Sequence, residues 1–542
     1  MRSSSPSNSD ARSGKAKGRD AVTFDAASMV PPLGRDETDS MSPRLGVLLL
    51  ATLLAALLRL TSLGAHPLWI DEFLTWKMLH PLGGHGFLEQ IRDGFQSPLL
   101  LAILWPWTRG DLSETVLRLP SALAGVLTVP LFGLLAARLA GRRTGEWAVL
   151  LLAISPFHLW YSQDARGYAL AVLGATVATL VLLRMLRRGP TPGAAIGYGL
   201  AAGLSVLANN SVLFLIAAHG VSVLVWRLPR RGRDWGLWSL AFGLAGLIVL
   251  PWLFRAAGVL AVDRLMPGAS AGPALRGETT FSPLALPFAF HSFLYGFSLG
   301  PSLFELHRPE RLDILQRSLP LLLPAWLIGG LLVARGWWRL RADTRWMLTV
   351  WIMIPVLVVT FLAVRNVKAF NPRYLAVIMP LVILLWAHGA SSLNRWRRGL
   401  AIAGLVFVLL ATGGYLGAER YAREDIRSAA VAIAAVATQE EVVLVPVVSG
   451  LYSLYDPGSA TVVEFWDSPI VHDMTTARET LALRLEGRDS GWLVLCRSWD
   501  LDPGDRWPRA LASLGDVSEF GHWPGVTVLH WRRIPAAPEN EG

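Results

Sequence analysis

Between residues 45 and 416 the chain is cut into about eleven apolar segments, each near the length a helix needs to cross a bilayer. They fall at 45–63, 119–137, 147–161, 168–184, 194–208, 211–226, 237–254, 319–334, 346–363, 374–391 and 399–416. A helix of ~20 residues spans the hydrocarbon layer, and inside lipid the backbone must satisfy its own hydrogen bonds. The expected fold is therefore an all-α polytopic membrane protein. With 53% of its residues hydrophobic, the chain has more apolar surface than a soluble domain can bury.

A net charge of +10 would suit a nucleic-acid partner if it gathered on one face, but the arginines sit between the apolar segments. They cluster as Arg138, Arg142 and Arg143; Arg184, Arg187 and Arg188; Arg227, Arg230, Arg231 and Arg233; Arg335, Arg339, Arg341 and Arg345; and Arg395, Arg397 and Arg398. By the positive-inside rule these connections face the cytoplasm, a pattern of membrane topology and not of a DNA-binding face, and the expected location is the inner, or plasma, membrane. Residues 1–43 are polar and lack apolar periodicity, so a disordered cytoplasmic tail is expected there. The first outer loop, the turn at 163–168, the loop at 255–318 and the C-terminal region then lie outside. The run at 97–107 is short and holds Pro98 and Pro106, so it reads as an interfacial helix within the first outer loop.

The apolar character stops near residue 418. The segment 418–542 has 11 Arg and no Lys against 19 Asp and Glu. Strand-like runs at 441–448, 461–466, 491–498 and 526–533 alternate with helix-like stretches at 425–438, 475–487 and 505–515. A small soluble α/β domain outside the membrane follows, after a membrane domain at 44–417. Asp456-Pro457-Gly458 reads as a turn, and His472-Asp473 is too isolated to argue for a ligand. The single cysteine, Cys496, excludes a disulfide framework.

Chemistry concentrates in a few outer-loop residues. Asp71 and Glu72 follow the first apolar segment, set between Trp69 and the apolar Phe73, Leu74 and Trp76, which puts the pair at the membrane interface. Neighbours cannot point the same way on a helix, so one carboxylate can meet a reacting atom while the other holds a loop, a ligand or a metal. An exposed loop pair without chemistry is the alternative. The second cluster, Tyr161-Ser162-Gln163-Asp164-Ala165-Arg166-Gly167-Tyr168, carries Arg166 on the side the charge rule disfavours; Asp164 either pairs with it locally or joins the acidic site. Arg365, Lys368 and Arg373 form a third. Snorkelling explains the first two, whereas the guanidinium of Arg373, ahead of Tyr374, also suits a phosphate. His66, His80, His85, His291 and His307 lack metal-ligand spacing, and no Gly-rich phosphate loop with a Lys is present. No metal site is expected, although an assisting divalent cation stays open.

On these residues the chain resembles the GT-C membrane glycosyltransferases, in particular bacterial relatives of the dolichyl-phosphate-mannose protein mannosyltransferases and of the lipid A aminoarabinose transferase. The resemblance is carried by Leu68-Trp69-Ile70-Asp71-Glu72, by the run from Leu117-Arg118-Leu119-Pro120 to Gly125, by Ser155-Pro156-Phe157-His158 through Tyr168, and more weakly by Arg373-Tyr374. It covers about residues 45–415. Where relatives usually read His-Pro-Pro-Leu-Tyr, this chain has Gln96-Ser97-Pro98-Leu99-Leu100, a departure that bears on the acceptor pocket.

The resemblance implies a sugar donor on a polyprenyl phosphate, a lipid, glycan or protein acceptor, and Asp71 as the acidic residue of the first loop with Glu72 its companion. The expected reaction is a single inverting displacement at an acceptor hydroxyl, Asp71 taking the proton. Arg166 and Arg373 would hold the donor phosphate, with Asp164, Tyr168 and Tyr374 in support. A partly buried carboxylate in an apolar site is expected to have a raised pKa. Two other classes compete: a transporter or flippase for a lipid-linked sugar, and a non-catalytic membrane scaffold.

Overall fold

The structure, a computed structural model, describes residues 42–80, 98–107, 110, 112–226, 232–259, 281–307, 310–446, 448–458, 460–464, 473–498, 502 and 504–534. Residues 1–41 of the expected tail, His85, Gln96, Ser97, His472 and 260–280 of the long outer loop lie outside these.

All eleven apolar segments are helical. Seven of the described helices are long and apolar enough to cross a membrane: Glu114–Ala140, Tyr168–Arg188, Asp234–Leu253, Arg311–Arg339, Ala342–Val364, Pro372–Ser391 and Arg395–Gly417. Leu45–Leu60, Pro192–Ala208 and Val212–Trp226 are shorter. The segment expected at 147–161 is two helices, Arg142–Ile154 and Pro156–Ser162, because Pro156 has no amide to continue the ladder. Fully buried Arg59, from Leu45–Leu60, caps the break. It donates to the carbonyls of Ala153 at 2.8 Å and Leu152 at 3.0 Å and stands 2.8 Å from His158 Nδ1.

Close helix contact is set by small residues. A Cβ on Gly336 would overlap the Leu385 carbonyl, and one on Gly389 would overlap the Leu332 carbonyl, so Arg311–Arg339 and Met379–Ser391 cross backbone to backbone. Among the described residues, Arg-rich connections meet at one end of the bundle: Arg187 donates to the Arg138 carbonyl, Arg335 to the Ser392 carbonyl, and Thr144 bonds His388.

A five-stranded sheet follows the last long helix. Its strands are β1 (Val442–Val445), β2 (Thr461–Glu464), β3 (Ser490–Cys496), β4 (Asp516–Trp523) and β5 (Val526–Arg532), in the order β2-β1-β3-β5-β4. β1 pairs parallel with β2 and β3, whereas β5 runs antiparallel to β3 and β4. Strand alternation divides the core. Val442, Leu444, Leu493, Leu495 and Trp531 face the helices Met474–Arg484 and Arg506–Ala512. The opposite face, with Val443, Val445, Trp492, Val494 and Val528, packs on Ile426–Ala434 and continues without a break into Leu68, Phe73, Leu100, Leu104 and Leu117 of the membrane region.

Four strands fall where alternation predicts them. Strand β4 and the helix Ser449–Tyr455 do not: β4 is a half-exposed edge strand rich in polar residues, turned back through Pro524-Gly525, where Gly525 has φ +64°.

Candidate functional site

Asp71 and Glu72 are not in a loop. They open the helix Ile70–Leu79, where carboxylates in the first turn complement the helix dipole and Glu72 Oε2 accepts from the Trp69 amide at 3.3 Å. One residue apart on a helix, they point in different directions.

Glu72 points inward, its side chain 0% exposed. Arg118 grips it in a fork, Nε to Oε1 at 2.7 Å and Nη2 to Oε2 at 2.6 Å. The Ala165 amide adds a bond of 2.8 Å, and Arg423 Nη1 stands 3.3 Å away. Burial alone would raise the Glu72 pKa, but the bonds from Arg118 and Ala165 and the nearby Arg118 and Arg423 charges hold it below the ordinary carboxylate value. Glu72 is a buried ionic anchor.

Asp71 is partly exposed, at 17%, with Oδ2 2.5 Å from Arg373 Nη1. Arg166 Nη1 donates to the Asp71 carbonyl at 3.2 Å. The Asp71 pKa is lowered, not raised as expected: burial pushes it up, and the charges of Arg166 and Arg373 together pull it down further. The raised carboxyl is Asp164. Fully buried and close to the Glu72 charge, it is pushed up to about 7. Its Oδ1 accepts from Trp69 Nε1 at 3.0 Å, and its Oδ2 has no hydrogen-bond partner. Among the described residues no ion pair joins Asp164 to Arg166, so the local salt bridge does not form.

The chain makes these placements locally. Arg373 sits in a tight first turn fixed by Asn371, whose side chain accepts from the Arg373 amide at 3.1 Å, and by Pro372. Its guanidinium lies 6.0 Å from the Tyr168 ring and 5.5 Å from the Tyr374 ring, and Lys368 Nζ lies 5.6 Å from the latter. The turn holding Asp164 and Arg166 is stitched to the acidic helix by Thr75, which donates to the Ala165 carbonyl at 2.9 Å, and to Glu114–Ala140 by Ser121, which donates to the Arg166 carbonyl at 3.0 Å. A Cβ on Gly167 would overlap the Ala208 carbonyl, so that turn requires glycine.

All seven expected residues therefore meet in one place. Two contributors lie outside that set. Arg118 had a visible signal, a charge near the N-terminal end of an apolar helix; Arg423 had none, standing in an acidic segment more than 300 residues from the turn it reaches. Among the described residues, no group of three or more His, Cys, Asp or Glu side chains is disposed to hold a metal.

Residues 96–254 match the family described as dolichyl-phosphate-mannose-protein mannosyltransferase. No curated protein matches the chain by sequence. Among solved structures, the archaeal oligosaccharyltransferase AglB from Archaeoglobus fulgidus, in complex with an inhibitory peptide and a dolichol-phosphate, is similar at a TM-score of 0.51 and 13% identity, over 89% of this chain and 73% of that one. ArnT from Cupriavidus metallidurans, in the apo state, gives a TM-score of 0.49 and 16% identity over 90% of this chain and 98% of that one. The same protein bound to undecaprenyl phosphate gives 0.49 and 15% over the same shares. The AglB fold thus runs through most of the chain, and a stretch inside its helical region, residues 96–254, is similar to the mannosyltransferase family.

Proposed function

We propose that the protein moves a sugar from a polyprenyl-phosphate donor to an acceptor hydroxyl on the extracytoplasmic side of the inner membrane, with Asp71 as the base. One observation carries this reading: of the three carboxylates in the cluster, Asp71 alone is partly exposed, and two guanidinium groups stand beside it. Dolichol-phosphate in the AglB structure and undecaprenyl phosphate in that of ArnT support the donor class. The gathering of arginine-rich connections at the far end of the bundle supports the side.

In the reaction the acceptor oxygen attacks the anomeric carbon as the carbon–oxygen bond to phosphate breaks. The sugar inverts, the acceptor proton passes to Asp71, and the lipid phosphate leaves as a monoester that needs no proton. Arg373 and Arg166 stabilise its growing charge. A phosphate seated on those arginines also withdraws from Asp71 the charges that lower its pKa, so donor binding strengthens the base where it is needed. Sugar transfer in membranes given a panel of polyprenyl-phosphate sugars and native acceptors tests the assignment. Asp71→Asn abolishes it at unchanged protein level; transfer that survives the substitution removes Asp71 as the base.

A further inference from the structure

The sheet domain touches the acidic helix at its most sensitive points. Tyr455, ending the helix Ser449–Tyr455, accepts a hydrogen bond from the Leu68 amide at 2.8 Å, three residues ahead of Asp71. Its hydroxyl is aimed by Glu114, to which it donates at 2.7 Å, and Glu114 is in turn paired with Arg427. Arg427 also lies over the Tyr455 ring at 5.1 Å. Buried Arg423 extends from the start of the domain to Glu72, donates to the Trp160 carbonyl at 3.0 Å and lies 4.7 Å from the Trp160 ring. Between them, Phe73 packs so close to Gly450 that a Cβ there would meet its ring at 2.8 Å.

We infer that Tyr455 and Arg423 are positioning residues: through them the C-terminal domain fixes the lead-in and first turn of the acidic helix, and so sets where Asp71 stands relative to Arg373. This rests on the reading of Asp71 as the base. A domain that merely packed on the loop would need apolar contact alone. Here two polar side chains, each oriented by a second partner, hold Leu68 and Glu72 on either side of Trp69, whose indole in turn bonds Asp164. Transfer chemistry is sensitive to shifts of about an ångström at the base, and a backbone amide fixed by a preset acceptor removes such a shift.

The test uses the full chain in proteoliposomes carrying Tyr455→Phe, Arg423→Lys or Arg423→Gln. Amide hydrogen exchange is followed at 68–79 and in the sheet, together with binding of undecaprenyl phosphate and turnover on membrane-extracted lipid-linked sugars. Loss of one hydrogen bond predicts about tenfold faster exchange at 68–79 in Tyr455→Phe. Exchange in β1 and β3 should be unchanged, kcat lower by a similar factor and undecaprenyl phosphate affinity unaltered. Arg423→Lys should retain more turnover than Arg423→Gln. Unchanged exchange at 68–79, faster exchange with full turnover, or loosening of the whole sheet in step with lost activity would each overturn the proposal. Persisting transfer in Asp71→Asn would instead remove the base assignment while leaving the exchange result in place.

Discussion

Asp71, Glu72 and Asp164 share one cluster and have three different charge environments. Glu72 is locked between Arg118 and Arg423, so Glu72→Gln strands two buried cations; a cost of roughly 3–5 kcal/mol is expected, read as a large fall in Tm in detergent. Asp71→Asn, at a partly exposed carboxylate paired with a single arginine, should lower Tm much less, which separates the two roles. Asp164 keeps a proton to about pH 7 in the folded protein, while the unfolded chain releases it at the ordinary carboxylate value. Its contribution to stability therefore declines as pH rises through roughly 4 to 7, and Asp164→Asn should gain in Tm over the wild type across that window. Asp71, lowered in the free enzyme and relieved when phosphate takes the arginines, gives a kinetic signature. The acid limb of kcat should lie at higher pH than that of kcat/KM for the donor, because the first reports the bound enzyme and the second the free one. Coincident limbs would show that Arg373 does not turn from Asp71 to the phosphate.

At the scale of elements, hydropathy located all eleven helical segments because span length and lipid exposure are local properties, written in each stretch of chain. It did not divide 147–161 at Pro156, because proline alone does not decide a break: Pro120 and Pro130 sit inside an unbroken helix, whereas at 152–156 Arg59 arrives from another helix to take the freed carbonyls. The strand β4 was illegible for a similar reason: an edge strand needs only one partner and no apolar face. The site was legible as a set of residues but not as an electrostatic arrangement. Burial of Asp71 argued for a raised pKa, and only the spatial approach of Arg166 and of Arg373, the latter 302 positions away, reverses the sign. The glycine crossing makes a sharp prediction of its own. Gly336→Ala or Gly389→Ala must separate two helices in backbone contact, and either should reduce folded protein in the membrane several-fold, whereas Gly330→Ala, with open space around it, should not.

For the whole molecule, the bundle has an arginine-rich end and a carboxylate-and-sheet end, and the single cysteine makes their sidedness measurable. Cys496 is buried, so the wild type should be silent to a membrane-impermeant thiol reagent applied to intact cells. Ser513→Cys, exposed on the sheet domain, should label from outside; Trp396→Cys, at a position 85% exposed at the arginine-rich end, should label only after the membrane is opened. The reverse pattern would invert the topology. The bond from Leu68 to Tyr455 closes a span of 387 residues. At synthesis rates of about 5–20 residues per second, the acidic loop waits roughly 20–80 s for its last partners. A nascent chain thus holds Asp71 and Glu72 for that interval without Arg373, Arg423 and Tyr455, the partners that come from later in the chain. The acidic helix therefore reaches its final position only after the bundle that carries it has been made.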